Sequence, residues 1–144
     1  MRIIAGEFKG QRLKVPRHNV RPTSDRLRES LFNALGEKMI TDSLWLDAFA
    51  GSGAVGIEAL SRGAKHVVFN DRDRVALKVT EENLELCGIS TGFTMFRKDV
   101  FVLLRNPPDS ISRRPLNVLF LDPPYDFGRY RRRHHSVSSN PGGN

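Results

Sequence analysis

The sequence predicts an α/β fold built on a parallel sheet covered on both faces. Three observations point there. From Leu44 onward, short apolar runs alternate with amphipathic stretches, as parallel strands joined by crossover helices require. The runs "LWLDA" (44–48), "HVVFN" (66–70) and "NVLFL" (117–121) are apolar almost throughout, which suits strands buried on both sides. Between the first run and the helix after it, Gly51, Gly53 and Gly56 spell G-x-G-x-x-G, the turn by which doubly wound folds pass from strand to helix.

Taken in order, the elements begin with residues 3–15, "IIAGEFKGQRLKV", where two short strand-like runs with Gly6 and Gly10 between them predict a β-hairpin. A basic, proline-marked loop follows, "PRHNVRPT" (16–23). Thr23 or Ser24 can cap a helix with Asp25 in its first turn, where an acid suits the dipole. Leu27, Leu31 and Leu35, joined by Phe32 and Met39, predict one buried stripe on it. After the strand at 44–48, a helix runs from Gly53 to about Arg62 with Ile57 and Leu60 inward. The strand at 66–70 leads to a helix from Asp73 to Cys87, ended by Gly88. A weaker strand, "FTMFR" (93–97), a short helix from Val100 to Arg105 and the strand at 117–121 complete the pattern. Residues 126–144 show no apolar periodicity, end in Ser, Asn, Pro and Gly, and read as a basic disordered tail. The organisation expected is one domain over residues 1–125 with that tail behind it. A sheet whose last strand ends at Leu121 is expected to have an unpaired edge or to lack cover on part of one face.

Composition narrows the function. No apolar run approaches the roughly 20 residues of a membrane span, so no membrane partner is expected. "MRIIAGEFKG" has neither an apolar core nor a cleavage site for export. Cys87 is the single cysteine, which excludes an intramolecular disulfide and argues against a cysteine metal cage. His134 and His135 read as part of a solvated tail, so no metal site is expected. These features favour the cytoplasm. The net charge is +7 and lies at the ends: residues 1–30 hold eight Lys/Arg against three acids, and residues 31–125 hold eleven against twelve. Basic ends on a balanced core suit a polyanion, whose counterions Lys and Arg release, or else form a solvated face.

The glycine loop has two readings, because dinucleotide sites and S-adenosylmethionine sites share it. Gly51, Ser52 and Gly53 let a ligand touch the main chain. Asp71, 20 residues after Gly51, stands where such folds bind ribose hydroxyls. Three features tilt away from NAD. Asp47 at the first strand tip suits a cationic amino acid or sulfonium better than a pyrophosphate. Asp99 after the third strand can meet an adenine amino group, or simply cap the next helix. At this length no second domain is expected to hold a hydride donor or acceptor.

The fourth strand ends in "LFLDPPYDF", with Asp122, Pro123, Pro124 and Tyr125. An exocyclic amine on a base is a weak nucleophile because its lone pair is delocalised into the ring. A site that methylates it must accept both N–H groups so that the lone pair can turn to the methyl. Asp122 offers a carboxylate oxygen, a backbone carbonyl beside Pro123 offers a second acceptor, and successive prolines stiffen the loop. Tyr125 offers a face for base stacking, worth ~1–3 kcal/mol.

With these residues in hand the sequence resembles the Rossmann-like S-adenosylmethionine-dependent methyltransferases. More narrowly it resembles the RsmD family, which methylates guanine N2 in small-subunit (16S) ribosomal RNA. The likeness runs through "RIIAGEFKGQRLKVP", "RPTSDRLRESLFNAL", "LDAFAGSGAVGIEALSRGA", "VVFNDRDRVAL" and "LFLDPPY", and "RPTSDRLRESLFN" is its most family-specific block. The resemblance implies cofactor contacts from Asp47, Gly51, Gly53, Asp71 and Asp99, and a cofactor and RNA border at Arg21 to Asp25. It implies that Lys9, Arg12, Lys14, Arg17 and Arg21 meet rRNA phosphates, joined by Arg26 and Arg28 unless these pair with Asp25 and Glu29. A monomer acting on 16S rRNA within a 30S subunit or assembly intermediate is the implied arrangement. The same chemistry admits adenine or a protein glutamine as acceptor. The chain departs from the family after the DPPY tetrad, where "GRYRRRHHSVSSNPGGN" stands in place of a further helix and strands. Lower stability is expected of it, and an inactive RNA-binding relic is the non-catalytic alternative.

Overall fold

The computed structural model describes residues 1–16 and 23–123. Its centre is a four-stranded parallel sheet of β1 (Leu44–Asp47), β2 (His66–Asn70), β3 (Phe93–Phe96) and β4 (Val118–Phe120), in the order β3-β2-β1-β4. Register places Trp45 beside Val67 and Val118, and Leu46 beside Val68 and Leu119. Successive side chains leave a strand on opposite faces, and two cores result. Trp45, Val67 and Phe69 pack with α1 (Asp25–Leu35), α3 (Ala54–Ser61) and α4 (Arg74–Leu86) on one face. Leu46 and Val68 pack with α5 (Val100–Arg105) on the other, where Ile111 of α6 (Asp109–Ser112) joins them. The expected strand-and-helix alternation from Leu44 is therefore present, with caps where the sequence placed them: Ser24 accepts from Leu27 N at 3.1 Å at the start of α1, and Gly88 takes φ +72° after Cys87.

Three expectations change. The two runs of the expected hairpin over 3–15 do pair, through the antiparallel bridge of Arg2 with Arg12 and the bonds from Ile3 N, Gly10 N and Leu13 N to the carbonyls of Gln11, Ile3 and Met1, but without regular strands. The amides between them go to α3. Ile4 N and Ala5 N donate to the two Glu58 carboxylate oxygens at 2.9 and 3.1 Å, and Glu7 N donates to the Ser61 carbonyl. The stripe on α1 holds at Leu31, Phe32 and Leu35, which pack on the core, but Leu27 and Met39 are exposed and Arg28 is buried. Phe32 stacks on Trp45 with centroids 5.2 Å apart. Met39 falls outside α1 because Gly36, at φ +81°, ends it, and α2 (Glu37–Ile40) starts anew. Arg28 is inside because it has partners there: Asp25 Oδ1 at 2.9 Å, the carbonyls of Thr23 and Arg2, and the Glu58 carboxylate at 3.8 Å. It is therefore no surface contact for phosphate, and its buried guanidinium pairs with a half-exposed Asp25. The expected edge is present among the described residues. β4 pairs with β1 alone, and Leu119 and Leu121 are 43% and 50% exposed. The disorder expected of 126–144 lies outside the described residues.

Candidate functional site

Parallel strands present their carboxyl ends together, and ligands of such sheets bind there. Asp47 ends β1, Asp71 follows β2, Asp99 follows β3 and Asp122 follows β4. The glycine loop rises between β1 and α3. Each glycine has a separate reason. Gly51 takes φ +58° and donates its N–H to Asp71 Oδ2 at 2.9 Å. Gly53, at φ +81°, is the N-cap of α3, and a Cβ there would lie 2.8 Å from Thr80. Gly56 lets α3 lie on the sheet, since a Cβ would meet Phe69 at 2.3 Å. This is the division of labour the motif has when a ligand approaches the first turn.

The loop is fastened from α4 by two residues whose importance the sequence reading missed. Thr80 Oγ1 donates to the Gly51 carbonyl at 2.9 Å. Asn83 Nδ2 donates to the Ser52 carbonyl at 2.8 Å and to the Lys14 carbonyl, while its Oδ1 accepts from Lys14 N. Both side chains are fully buried. The signal was present: Ala76, Thr80, Asn83 and Leu84 share the buried face of α4, and a polar residue on such a face must find a partner. Ser52 is buried, and its hydroxyl accepts from Ala54 N.

The acids are not equivalent. Asp47 is buried, and its carboxylate accepts a hydrogen bond from Gly56 N at 3.2 Å. Burial pushes its pKa up to about 7, against the pull of the Gly56 N–H, and the charges of Asp71 and Asp122 add to the rise. Burial also raises Asp71, against the N–H groups of Asp73 and Gly51. Asp99 caps α5 through Oδ1, and its Oδ2 lies 3.5 Å from Arg72 Nη1. Asp122 is exposed and accepts a hydrogen bond on Oδ2 from the Thr23 hydroxyl at 3.0 Å. The fold thus brings the start of α1 to the end of β4 across 99 residues of sequence. Pro123 follows on the surface. Pro124 and Tyr125 lie outside the described residues, as do Arg17 and Arg21. Among the described residues no group of three His, Cys, Asp or Glu is placed to hold a metal ion.

Lys9, Arg12 and Lys14 are exposed on the N-terminal arm. Lys14 Nζ lies 3.8 Å from Glu82. Arg12 stands opposite Arg2 in the bridge, a like-charge pair of the kind that is destabilising unless an anion meets it. Arg2 is a basic residue of this arm that the sequence reading passed over. The hairpin register alone would have shown it. No helix among the described residues is long and apolar enough to cross a membrane.

Comparison with known proteins agrees with this geometry. The family model described as Conserved hypothetical protein 95 matches residues 1–140. The chain is 40% identical over 128 residues to YlbH of Bacillus subtilis strain 168, provisionally described as an rRNA methyltransferase, covering 87% of this chain and 67% of that protein. It is 38% identical over 131 residues to ribosomal RNA small subunit methyltransferase D of Escherichia coli K12, covering 89% of this chain and 62% of the relative. The chain therefore spans about two thirds of the length of these relatives. Its structure matches the solved yhhF protein of Escherichia coli, provisionally described as a methyltransferase, with a TM-score of 0.75 and 35% identity, over 97% of this chain and 73% of that one.

Proposed function

Because this chain belongs to the RsmD family, we propose that it transfers a methyl group from S-adenosylmethionine to the exocyclic N2 of a guanine in 16S rRNA. One observation carries the reading: the buried Asp47 carboxylate lies beside the glycine loop, close enough to Asp71 and Asp122 for the charges of both to act on it. A pyrophosphate would be repelled there, whereas a ligand with an ammonium and a sulfonium would relieve the repulsion. The residues present fit S-adenosylmethionine on that ground. Asp47 would face its cationic end, the Gly51–Gly53 backbone its chain, Asp71 its ribose, and Asp99 with Arg72 its base.

When bound, the cofactor supplies an electrophilic methyl, which the amine nitrogen takes as the carbon–sulfur bond breaks and its electron pair leaves with sulfur. The chain's own groups supply position and electrostatics. Asp122 accepts an N–H of the amine, turning the lone pair toward the methyl, and receives the proton directly or through water. The carbonyl beside Pro123 accepts the other N–H, and Tyr125 stacks on the base. Arg2, Lys9, Arg12 and Lys14 meet phosphates, with Arg17 and Arg21 from the adjoining loop. The protein acts as a cytoplasmic monomer on a 30S subunit or an assembly intermediate.

The test is methyl transfer from radiolabelled S-adenosylmethionine to assembled 30S particles, bare 16S rRNA, DNA and protein. Label on guanine N2 of the ribosomal substrate is expected. Label only on adenine or on a glutamine amide would move the acceptor. Binding of RNA with no label in any acceptor would contradict the reaction.

A further inference from the structure

We propose that Thr23 is the positioning residue for the Asp122 carboxylate, through the hydrogen bond from its hydroxyl to Asp122 Oδ2. The inference rests on the methyl-transfer reading above and assigns a residue that the reaction scheme leaves unused. Asp122 lies two residues beyond a three-residue edge strand and is exposed. A carboxylate so placed rotates freely unless something holds it. Among the described residues, Thr23 is its hydrogen-bond partner, at 3.0 Å.

Thr23 is itself held from the core. Its carbonyl accepts from Arg28 Nη1 at 3.1 Å. Arg28 is fully buried, paired with Asp25 at 2.9 Å and seated against Glu58. Ser24, next along the chain, caps α1 by accepting from Leu27 N. The hydroxyl is therefore presented by a fixed helix start rather than by a loose loop. With Oδ2 taken up by Thr23, Oδ1 is the oxygen that accepts the amine N–H and then its proton. A misplaced acceptor costs rate more than binding, because the hydrogen bond matters most as the lone pair leaves the ring.

The experiment compares Thr23→Val, Thr23→Ser and Asp122→Ala in the full chain with 30S particles as substrate. Thr23→Val is expected to lower kcat by about tenfold to a hundredfold, with the KM for S-adenosylmethionine changed less than about twofold. Thr23→Ser keeps the hydroxyl and is expected to recover most of the rate. Added to Asp122→Ala, Thr23→Val should cost nothing further, since the partner it orients is gone. A Thr23→Val protein as fast as an active wild type would overturn this role alone and leave the reaction standing. So would a serine variant as slow as the valine one with both melting early, which marks a merely structural role. A wild-type protein that binds S-adenosylhomocysteine and transfers no methyl group would overturn the reaction, and this role with it.

Discussion

Leu46 and Leu119 are the same residue type, sit side by side in register on β1 and β4, and point to the same face of the sheet. Leu46 is fully buried, whereas Leu119 is 43% exposed. The contrast extends along both strands, for every residue of β1 is buried and none of β4 is. The half of the molecule that carries the glycine loop is thus a finished core, closed by α1, α3, α4 and the N-terminal arm. The half that carries Asp122 is an edge, tied back at its tip through Thr23. On the proposed reading, cofactor binding belongs to the first half, and acceptor chemistry to the junction of the two.

The comparison can be broken most severely at Glu58. Its carboxylate holds two amides of the arm and the Arg62 guanidinium, and lies against buried Arg28. Glu58→Ala leaves a buried arginine short of a partner, and a loss of about 3–5 kcal/mol is expected in denaturant unfolding. The leucine pair sharpens the contrast next. Leu46→Ala is expected to cost about 2–5 kcal/mol and Leu119→Ala less than about 1 kcal/mol, so equal losses would deny that the two strands differ. Asn83→Leu removes the clamp joining Ser52 to the arm, at a cost of about 1–3 kcal/mol. It should also weaken S-adenosylhomocysteine binding, read by calorimetry. A further effect is in pH. The Asp47 carboxyl is raised in the fold, so its contribution to stability is full below about pH 4 and is lost as pH rises to about 7. Asp71 is raised in the same sense. Asp47→Asn keeps an acceptor for Gly56 N and should flatten that loss in melts recorded from pH 4 to 8.

Much of this was legible from residues. The strands, the G-x-G-x-x-G turn and the acids at the strand tips follow from local patterns that buried parallel sheets enforce. What was not legible depended on partners distant in sequence. Arg28 reads as a surface charge until Glu58 of α3 is placed beside it. Leu27 reads as core until Arg28 takes that face. The arm reads as a free hairpin until Glu58 and Ser61 claim the amides between its two runs. From its neighbours alone Thr23 reads as a candidate cap, because its contact lies 99 residues away.

The most direct measurement is titration calorimetry of the 144-residue protein with S-adenosylhomocysteine at pH 6 and pH 8, with NAD as control. With its ammonium facing a carboxyl of pKa about 7, S-adenosylhomocysteine should bind up to about tenfold more tightly at pH 8, and Asp47→Asn should abolish that difference. NAD should not bind. Binding of NAD, or no binding of S-adenosylhomocysteine at either pH, would contradict the central claim that the three carboxylates and the glycine loop form a site for a cationic methyl donor.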